Sequence, residues 1–407
     1  MLVDLVITGA TLAEHAVPMD IAVGNGLILD IAPAIASNAP RFAADGRLLA
    51  AGFVECHIHL DKADILDRCI LAQGTLAEAV AETARLKAVF TEQDVYARAS
   101  RIVEQAISHG TTVMRTFVEI DPRAGLRSFE AIKAVRRDYA GAIDIEICAF
   151  AQEGLTNEPE TEGLLAMALA DGADLVGGCS YTDPDPAGHI ARIFDLAERF
   201  NVAADFHVDF DLDPAGSDLP AIIAETEKRG WQGRVACGHV TKLAAMGREA
   251  VAAVAVQLHR AGIGVVALPS TDLFLLGRDA EMLAPRGVAP LQQLASAGVL
   301  TAIASNNIIN PFTPFGDASL LRQANLFANI AHLSRKADVD LAFAAIGANP
   351  ARLLGRSHGI AVGASADLVL IDAVSPADAV RRAAPVLAGW KAGRQTFFRP
   401  AATLLRP

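Results

Sequence analysis

Two histidines separated by one residue, His57 and His59, are the residues best placed to do chemistry in this chain. They follow an apolar run that begins at Leu48. In an extended strand alternate side chains project to the same face, so both imidazoles would point to one place. Two neutral imidazole nitrogens that converge make half of a divalent metal site. The spacing alone is also common among ordinary surface histidines, so the interpretation depends on what else the chain offers.

Two further histidines follow apolar runs downstream. His207 comes directly after residues 202–206, and His239 directly after 235–238. Polar side chains that repeatedly occupy the carboxyl ends of strands are typical of a catalytic barrel. For each of these histidines the alternative is a buried, hydrogen-bonded core residue. The repetition favours a functional cluster.

The elements that would position these residues are short apolar runs alternating with helical patterns. Strand-like runs occupy residues 49–56, 112–118, 143–149, 175–178, 202–207, 235–239, 263–268 and 300–304. Helical patterns occupy 76–90, 92–109, 187–200, 219–229, 244–261 and 320–334. Alternation of this kind predicts parallel βα units, and the number of runs matches a closed (β/α)8 TIM barrel over residues 50–358.

Both ends of the chain have a different pattern. Residues 1–49 and 359–407 form short strand-like runs broken by glycine-containing turns such as Asn25-Gly26 and Asp45-Gly46. We expect the two ends to meet in a small β-sandwich domain beside the barrel. A chain of 407 residues is long enough for such an appendage, because single cores rarely grow beyond about 250–300 residues.

Composition narrows the class of protein. The chain has 35 Lys and Arg against 47 Asp and Glu, a formal net charge of -12, so nucleic acid and anionic membrane surfaces are unsuitable partners. No apolar stretch reaches the roughly 18–20 residues of a membrane span, and the opening residues lack a basic signal-peptide region. We expect a cytoplasmic protein with a small-molecule substrate. The 5 cysteines include no Cys-x-x-Cys pair, which argues against a disulfide framework or a zinc ribbon.

Five segments together resemble the amidohydrolase superfamily, most closely its cytosine-deaminase-like branch: residues 53–61, 149–154, 206–209, 238–241 and 306–312. The order and spacing of these segments hold from about residue 50 to 355, and residues 366–372 resemble the small β domain of the same superfamily. The resemblance implies a hydrolase that acts on carbon–nitrogen bonds, as a deaminase or a cyclic amidase. By analogy of fold alone it also makes a homo-oligomer an open alternative to a monomer.

The resemblance implies roles for individual residues. His57, His59 and His207 would bind one divalent metal ion, either zinc or iron. Imidazoles from these positions leave room for a water whose pKa falls to near 7 on a zinc-like cation. His239 would polarise the substrate or stabilise a tetrahedral intermediate. Gln152 would read a ring amide, because its own amide both donates and accepts.

Two positions depart from the family pattern. Asn306 stands after the eighth predicted strand, where the family has an aspartate that touches the metal and takes a proton from water. An amide can offer a weak carbonyl ligand but cannot accept that proton. Phe210 stands where deaminases have a glutamate that carries the proton to the ring. Both usual proton-transferring carboxylates are therefore absent from these positions, which makes cytosine itself a poor candidate substrate.

Other carboxylates could replace them. Asp209 lies two residues after His207 and would share its face if the strand continued, so we expect it to be the proton carrier. Asp272, after the seventh predicted strand, is the second candidate. Asp211 and Asp213 follow on the same loop and fit a solvated turn better.

Three side chains complete the expected surroundings. Phe312 and Phe117 would make the substrate pocket more apolar than one for cytosine. Glu55 would share the inward face of the first strand with His57, either contacting the metal ligands or forming a buried ion pair lower in the barrel.

The leading hypothesis is a metal-dependent hydrolase of a small cyclic amide, amidine or N-heterocycle. Two alternatives stay open. One is a catalytically disabled binding protein that keeps the barrel and has lost turnover. The other is a metal-free lyase or isomerase that uses the mouth of the barrel.

Overall fold

The computed structural model describes residues 2–405. In chain order the strands are β1 (Leu5–Ala10), β2 (Met19–Gly24), β3 (Leu27–Ala32), β4 (Arg41–Ala43), β5 (Leu48–Ala51), β6 (Phe53–Ile58), β7 (Thr111–Glu119), β8 (Asp144–Ala151), β9 (Leu175–Cys179), β10 (Ala203–Val208), β11 (Val235–His239), β12 (Ile263–Ala267), β13 (Thr301–Ile303), β14 (Leu368–Ile371), β15 (Val386–Lys391) and β16 (Arg394–Phe398).

The α-helices are α1 (Leu76–Lys87), α2 (Glu92–Ser108), α3 (Arg127–Tyr139), α4 (Glu160–Ala170), α5 (Pro186–Phe200), α6 (Leu219–Arg229), α7 (Arg248–Arg260), α8 (Pro269–Leu275), α9 (Leu291–Ser296), α10 (Leu320–Ile330), α11 (Lys336–Ala344), α12 (Ala348–Leu353) and α13 (Pro376–Arg382). Short 3₁₀ turns occupy Leu66–Arg68, Ser180–Thr182 and Thr241–Ala245.

Strands β6 to β13 form one parallel sheet in sequence order, which confirms the predicted barrel. The cylinder closes between its last and first strands through Asn306. The Asn306 N–H donates to the carbonyl of His57, and the His59 N–H donates to the carbonyl of Asn306, each over 2.8 Å. Closure therefore takes place at the two histidines singled out by the sequence.

The two ends of the chain build the predicted small β domain as two four-stranded sheets, with strand orders β3-β2-β1-β4 and β16-β15-β14-β5. Strand β5 from the first half pairs antiparallel with β14 from the second. The core between these sheets includes Ile7, Ile21, Leu368 and Trp390, all at most 1% exposed.

The first strand predicted from the sequence, 49–56, is in fact two strands in two different sheets. Leu48–Ala51 belongs to the small domain, and the barrel strand begins at Phe53. Gly52 separates them where the backbone runs close to Thr112, since a Cβ on Gly52 would lie 2.2 Å from the Thr112 Oγ1. The continuous apolar run hides this break because both strands are buried.

The helices cover the outside of the barrel with one apolar face each. Helix α2 begins at a cap in which the Thr91 side chain accepts a hydrogen bond from the Asp94 N–H, and it buries Val95, Ala99 and Ile102. Within residues 2–405, no helix combines the length and the apolar character that a membrane crossing requires.

The barrel interior is not wholly apolar. Arg115 on β7 lies between Asp205 on β10, at 3.2 Å, and Glu146 on β8, at 3.1 Å. Burial raises the pKa of Asp205 to about 7, against the opposing effect of Arg115. The high hydrophobic content of the chain gave no indication of this buried ion pair.

Candidate active site

His57 on β6, His59 directly after β6 and His207 on β10 converge at the carboxyl end of the barrel, as the sequence predicted. The ring centroids of His57 and His207 are 4.5 Å apart, and those of His59 and His207 are 5.1 Å apart. One nitrogen from each of the three rings lies within 4.8 Å of the others. All three side chains are at most 2% exposed. This is the spacing that a single metal ion needs from its ligands.

These rings have nitrogen atoms without hydrogen-bond partners. Both ring nitrogens of His57 and of His59 are buried and have no partner among residues 2–405, and the same is true of Nε2 of His207. Burial lowers the pKa of each of these histidines well below its ordinary value, so the rings are neutral with free lone pairs. Burying unpaired polar atoms is costly, and a cation bound between them removes that cost. The donor set therefore fits a divalent metal.

Asn306 supplies one more oxygen at this site. Its Oδ1 is buried and has no hydrogen-bond partner in the described part of the chain, while its backbone bonds both His57 and His59. The residue adopts a left-handed backbone with a φ of 58°, a conformation that asparagine tolerates better than most residues. Three imidazole nitrogens and one amide oxygen form a neutral set of potential ligands.

Glu55 holds the strand end rather than the histidine rings. Its carboxylate accepts hydrogen bonds from the N–H of His57 at 3.0 Å and from the N–H of Ser305 at 3.1 Å. Burial raises the pKa of Glu55 to about 7, although these hydrogen bonds oppose the shift. The side chain thus ties β6 to the segment after β13, directly beneath the point of closure.

His239 and Asp272 form a buried pair at the pocket. The Nδ1 of His239, at the end of β11, donates to Asp272 over 2.6 Å. The other carboxylate oxygen of Asp272 accepts from the Leu268 N–H at 3.1 Å. Burial raises the pKa of Asp272 above its ordinary value, although the neighbouring His239 opposes this shift. The His239 ring lies 5.2 Å from that of His207, so Asp272 can act on the site through His239.

Asp209 points elsewhere. Its carboxylate accepts from the Ser217 hydroxyl at 2.5 Å and from the Asp218 N–H at 2.9 Å. Strand β10 ends at Val208, and Asp209 has a φ of 54°, so the alternation that placed it beside His207 stops one residue too early. The structure therefore gives its carboxylate the task of bracing the following loop.

The remaining acidic residues of this loop are also structural. Asp211 accepts from the ammonium of Lys242 at 2.6 Å and from the Asp213 N–H at 2.8 Å. This agrees with the solvated turn expected for Asp211 and Asp213.

A small pocket opens over the histidines. It is lined by His59, Lys62, Gln152, Tyr181, His207, Phe210, His239, Thr271, Asn306, Asn307 and Phe312. Gln152 and Phe312 are where the sequence placed them. Phe117 does not line the pocket but packs 4.1 Å from the His57 ring and supports it. The wall is partly apolar and contains several amides.

Lys62 is a site residue that the sequence analysis missed. It is 2% exposed, and its ammonium donates to Glu119 at 2.6 Å and to the Oε1 of Gln152 at 3.3 Å. The ammonium also lies 4.4 Å from the centre of the Phe312 ring. Lysine is rarely buried, so the type of residue gave no reason to select it. The only available sign was its position, three residues after His59 on the same loop.

A second buried lysine, Lys87, stabilises Glu119, the carboxylate that is paired with Lys62. The ammonium of Lys87 lies 3.0 Å from Glu119 and 2.5 Å from Asp121. Burial raises the pKa of Glu119, but Lys62 and Lys87 outweigh this effect and hold the pKa at about 2. Glu119 is therefore a fixed negative charge behind Lys62.

A wider cleft lies between the barrel and the small domain, lined by residues that include Leu48, Phe53, Phe343 and His358. The Nε2 of His358 is hydrogen-bonded to the carbonyl of Gly52 at 3.0 Å. His358, one of the two histidines that line this cleft, is thus already engaged. Among the described residues the cluster of potential metal ligands lies at the smaller pocket, so chemistry rather than size points there.

The model of the Amidohydrolase family matches residues 70–397. This chain belongs to that family. A pterin deaminase from Rhizobium rhizogenes is 31% identical over 367 residues, which cover 89% of this chain and 84% of that protein. An N-isopropylammelide isopropyl amidohydrolase from Pseudomonas sp. is 28% identical over 403 residues, or 96% of each chain.

The crystal structure of 5-methylcytosine deaminase from Klebsiella pneumoniae with 5-fluorocytosine superposes with a TM-score of 0.93. The two sequences are 28% identical, and the match covers 99% of both chains. The superfamily predicted from the motifs is confirmed. This amidohydrolase is an enzyme that hydrolyses carbon–nitrogen bonds.

Substitution of Gly238 on β11 can move the His57 ring without replacing any of the proposed metal ligands. A Cβ at this position would lie 2.6 Å from Cε1 of His57. We expect Gly238→Ala to displace the His57 ring and weaken metal binding by about 10–100-fold, the size of effect seen when groups that orient a ligand are altered. Chelator competition measures this affinity directly.

The matched control is Gly163→Ala on α4, where an added Cβ meets nothing within 4 Å. This control should leave the metal affinity unchanged and leave the protein at least as stable, because alanine favours a helix. Equal metal affinities for wild type and Gly238→Ala would contradict the assignment of His57.

Proposed function

We propose that this chain is a metal-dependent amidohydrolase that hydrolyses a carbon–nitrogen bond of a small N-heterocycle or cyclic amide. His57, His59, His207 and Asn306 would hold one divalent ion. The observation that carries this proposal is the convergence of three buried, neutral imidazoles whose nitrogens have no protein partner. We further propose zinc or iron, since imidazole ligands suit both metals.

The substrate class is supported by the relatives. A pterin deaminase, an isopropylammelide amidohydrolase and a 5-methylcytosine deaminase are all named for nitrogen-containing rings. The pocket is small and partly aromatic, with Phe210 and Phe312 in its wall, which suits a flat ring. We therefore propose a ring substrate, with no commitment to cytosine.

A divalent cation at this site supplies an activated water near neutral pH. His239 can take a proton at Nε2, because its Nδ1–H is bonded to Asp272, whose negative charge stabilises the protonated ring. The same ring can return the proton to the leaving nitrogen. We propose this pair as the proton carrier in place of the carboxylates that Asn306 and Phe210 replace.

The other pocket residues orient the ring. The Phe210 ring lies 4.1 Å from that of His239 and excludes water from one side of it. Glu119 holds Lys62, and Lys62 holds Gln152, so both side chains present polar groups at fixed positions. Fixed donors of this kind lower the entropy lost when the ring and the activated water are brought together.

Removal of the metal tests the proposed function. Purified protein is analysed for bound metal, then assayed for ammonia release or ring opening on pterins, pyrimidines, triazines, cyclic imides and cyclic amides. We expect turnover of at least one ring, its loss after dialysis against a chelator, and its recovery with zinc or iron, because the activated water depends on the ion.

Full activity after chelation would contradict the metal mechanism and favour a lyase or isomerase. Bound metal without turnover of any ring would favour the catalytically disabled binding protein. That alternative arises because Asn306 and Phe210 stand where the family has carboxylates.

Substitutions of Asp272 and Asp209 test which aspartate takes part in proton transfer and which only stabilises the loop after β10. Asp272→Asn keeps the size of the side chain but removes the charge behind His239, so we expect kcat to fall by about 100-fold to 10,000-fold with KM little changed. Asp209→Asn keeps an acceptor for the Asp218 N–H but replaces the carboxylate oxygen that accepts from the Ser217 hydroxyl. We therefore expect a lower unfolding temperature, with a kcat within about threefold of wild type. Steady-state kinetics with thermal unfolding decides between them. A large loss of kcat in Asp209→Asn alone would restore Asp209 as the proton carrier.

A further inference from the structure

The polar groups of the pocket wall have a definite hydrogen-bonding polarity. Apart from the histidines, the amide of Asn306 at the proposed metal site and the hydroxyl groups of Tyr181 and Thr271, the polar side chains of the wall are Lys62, Gln152 and Asn307, which are 2%, 6% and 3% exposed. Each amide has one acceptor and one donor group, and which of these faces a ligand depends on what the other contacts. The contacts behind the wall settle that choice for Gln152 and Asn307.

The orientation of Gln152 follows from Lys62. A lysine ammonium can only donate, so the atom of Gln152 at 3.3 Å from it is the oxygen Oε1. The oxygen of this amide is therefore turned toward Lys62. Its Nε2 makes no hydrogen bond to another group of residues 2–405 and is the group left for a ligand.

The orientation of Asn307 follows from Asn310. The Oδ1 of Asn310 accepts from the backbone N–H groups of Phe312 at 3.0 Å and Thr313 at 3.1 Å. Its Nδ2 therefore faces the other way, and it donates to the Lys62 carbonyl at 3.2 Å and to Oδ1 of Asn307 at 2.7 Å. The oxygen of Asn307 is thus turned toward Asn310, and its Nδ2 is the group left for a ligand.

Lys62 itself adds a third donor. An ammonium has three N–H groups, and the bonds to Glu119 and Gln152 account for two of them. No carboxyl group lines the pocket among the residues that the structure describes. The ligands proposed for the ion, three imidazoles and the amide of Asn306, include no carboxylate, so a divalent ion bound by them would keep its positive charge.

We propose that the pocket binds its ring as an anion. The edge of the ring that the wall recognises carries only hydrogen-bond acceptors: a deprotonated ring nitrogen between two carbonyl oxygens. This inference rests on the proposed function for the statement that the ligand is a ring. A neutral edge of alternating C=O and N–H would set its own N–H against a donor of Lys62, Gln152 or Asn307. On this proposal Gln152 donates to the ring through its Nε2, whereas the family resemblance implied an amide that both donates and accepts.

The test compares two rings of similar size by isothermal titration of the metal-loaded protein. Cyanurate is used at a pH where it is a monoanion with three adjacent acceptors, and uracil is neutral there with an N–H between its two oxygens. We expect cyanurate to bind at least about tenfold more tightly, because charge-assisted hydrogen bonds replace an opposed pair of donors.

Two isosteric variants locate the cause of that preference. Gln152→Glu replaces the free N–H₂ group by an acceptor, and Asn307→Asp does the same while still accepting from Asn310. Each variant should reduce the preference for cyanurate by about tenfold. Gln395→Glu makes the same chemical change on the exposed strand β16 and should leave both affinities as they are. Thermal unfolding checks that each variant is folded.

The outcomes separate this proposal from the proposed function. Equal binding of the two rings, binding of neither ring, or a preference unchanged in both variants would overturn the anion proposal, and the last result would assign the preference to the metal alone. Selective binding of cyanurate with no hydrolysis of any ring would keep this proposal and reject the hydrolase. Turnover of neutral rings without a preference for cyanurate would do the reverse.

Discussion

The rest of the site depends on how the barrel closes. The first and last strands meet through two backbone hydrogen bonds of 2.8 Å, by which Asn306 joins the carbonyl of His57 to the N–H of His59. Glu55 adds bonds from its carboxylate to the N–H groups of His57 and Ser305 directly beneath. The bonds that complete the cylinder therefore also fix the two histidines and the amide that lies with them. In this protein the architecture and the proposed metal centre cannot be varied independently, because a shift in closure moves the ligands.

The site keeps negative charge one step away from the reacting atoms. The histidines are surrounded by Phe117, Phe150 and Phe210, which are at most 4% exposed. Asp272 lies behind His239, and Glu119 lies behind Lys62. Each carboxylate thus acts through a group that carries or can accept a proton. Asn306 and Phe210 replace two carboxylates that the family has in the pocket wall. Asp272 and Glu119, in the layer behind the wall, are the carboxylates that remain close to the site. This arrangement leaves the wall itself rich in hydrogen-bond donors.

Local patterns determined what the sequence could predict. Alternation along strands located His57 and His59, and the position at strand ends located His207 and His239, because both depend only on local geometry. Asp209 shows the limit of that reasoning, since the strand stops at Val208 and the alternation with it.

Contacts between distant segments were not accessible in this way. The burial of Lys62 depends on Glu119 and Gln152, and the orientation of Asn307 depends on the turn that Asn310 organises. The division of the first strand at Gly52 was hidden for a similar reason, because the partner of Leu48–Ala51 is a strand more than 300 residues away, β14 at Leu368–Ile371.

The proposed metal centre places the imidazoles of His57, His59 and His207 around one ion. X-ray absorption of the metal in the purified protein, for wild type and for His207→Ala, tests it most directly. We expect one metal per chain with scattering from imidazole nitrogens, and a clear loss of that scattering or of the metal itself in the variant. A protein without metal, or a spectrum that is the same in wild type and His207→Ala, would contradict it.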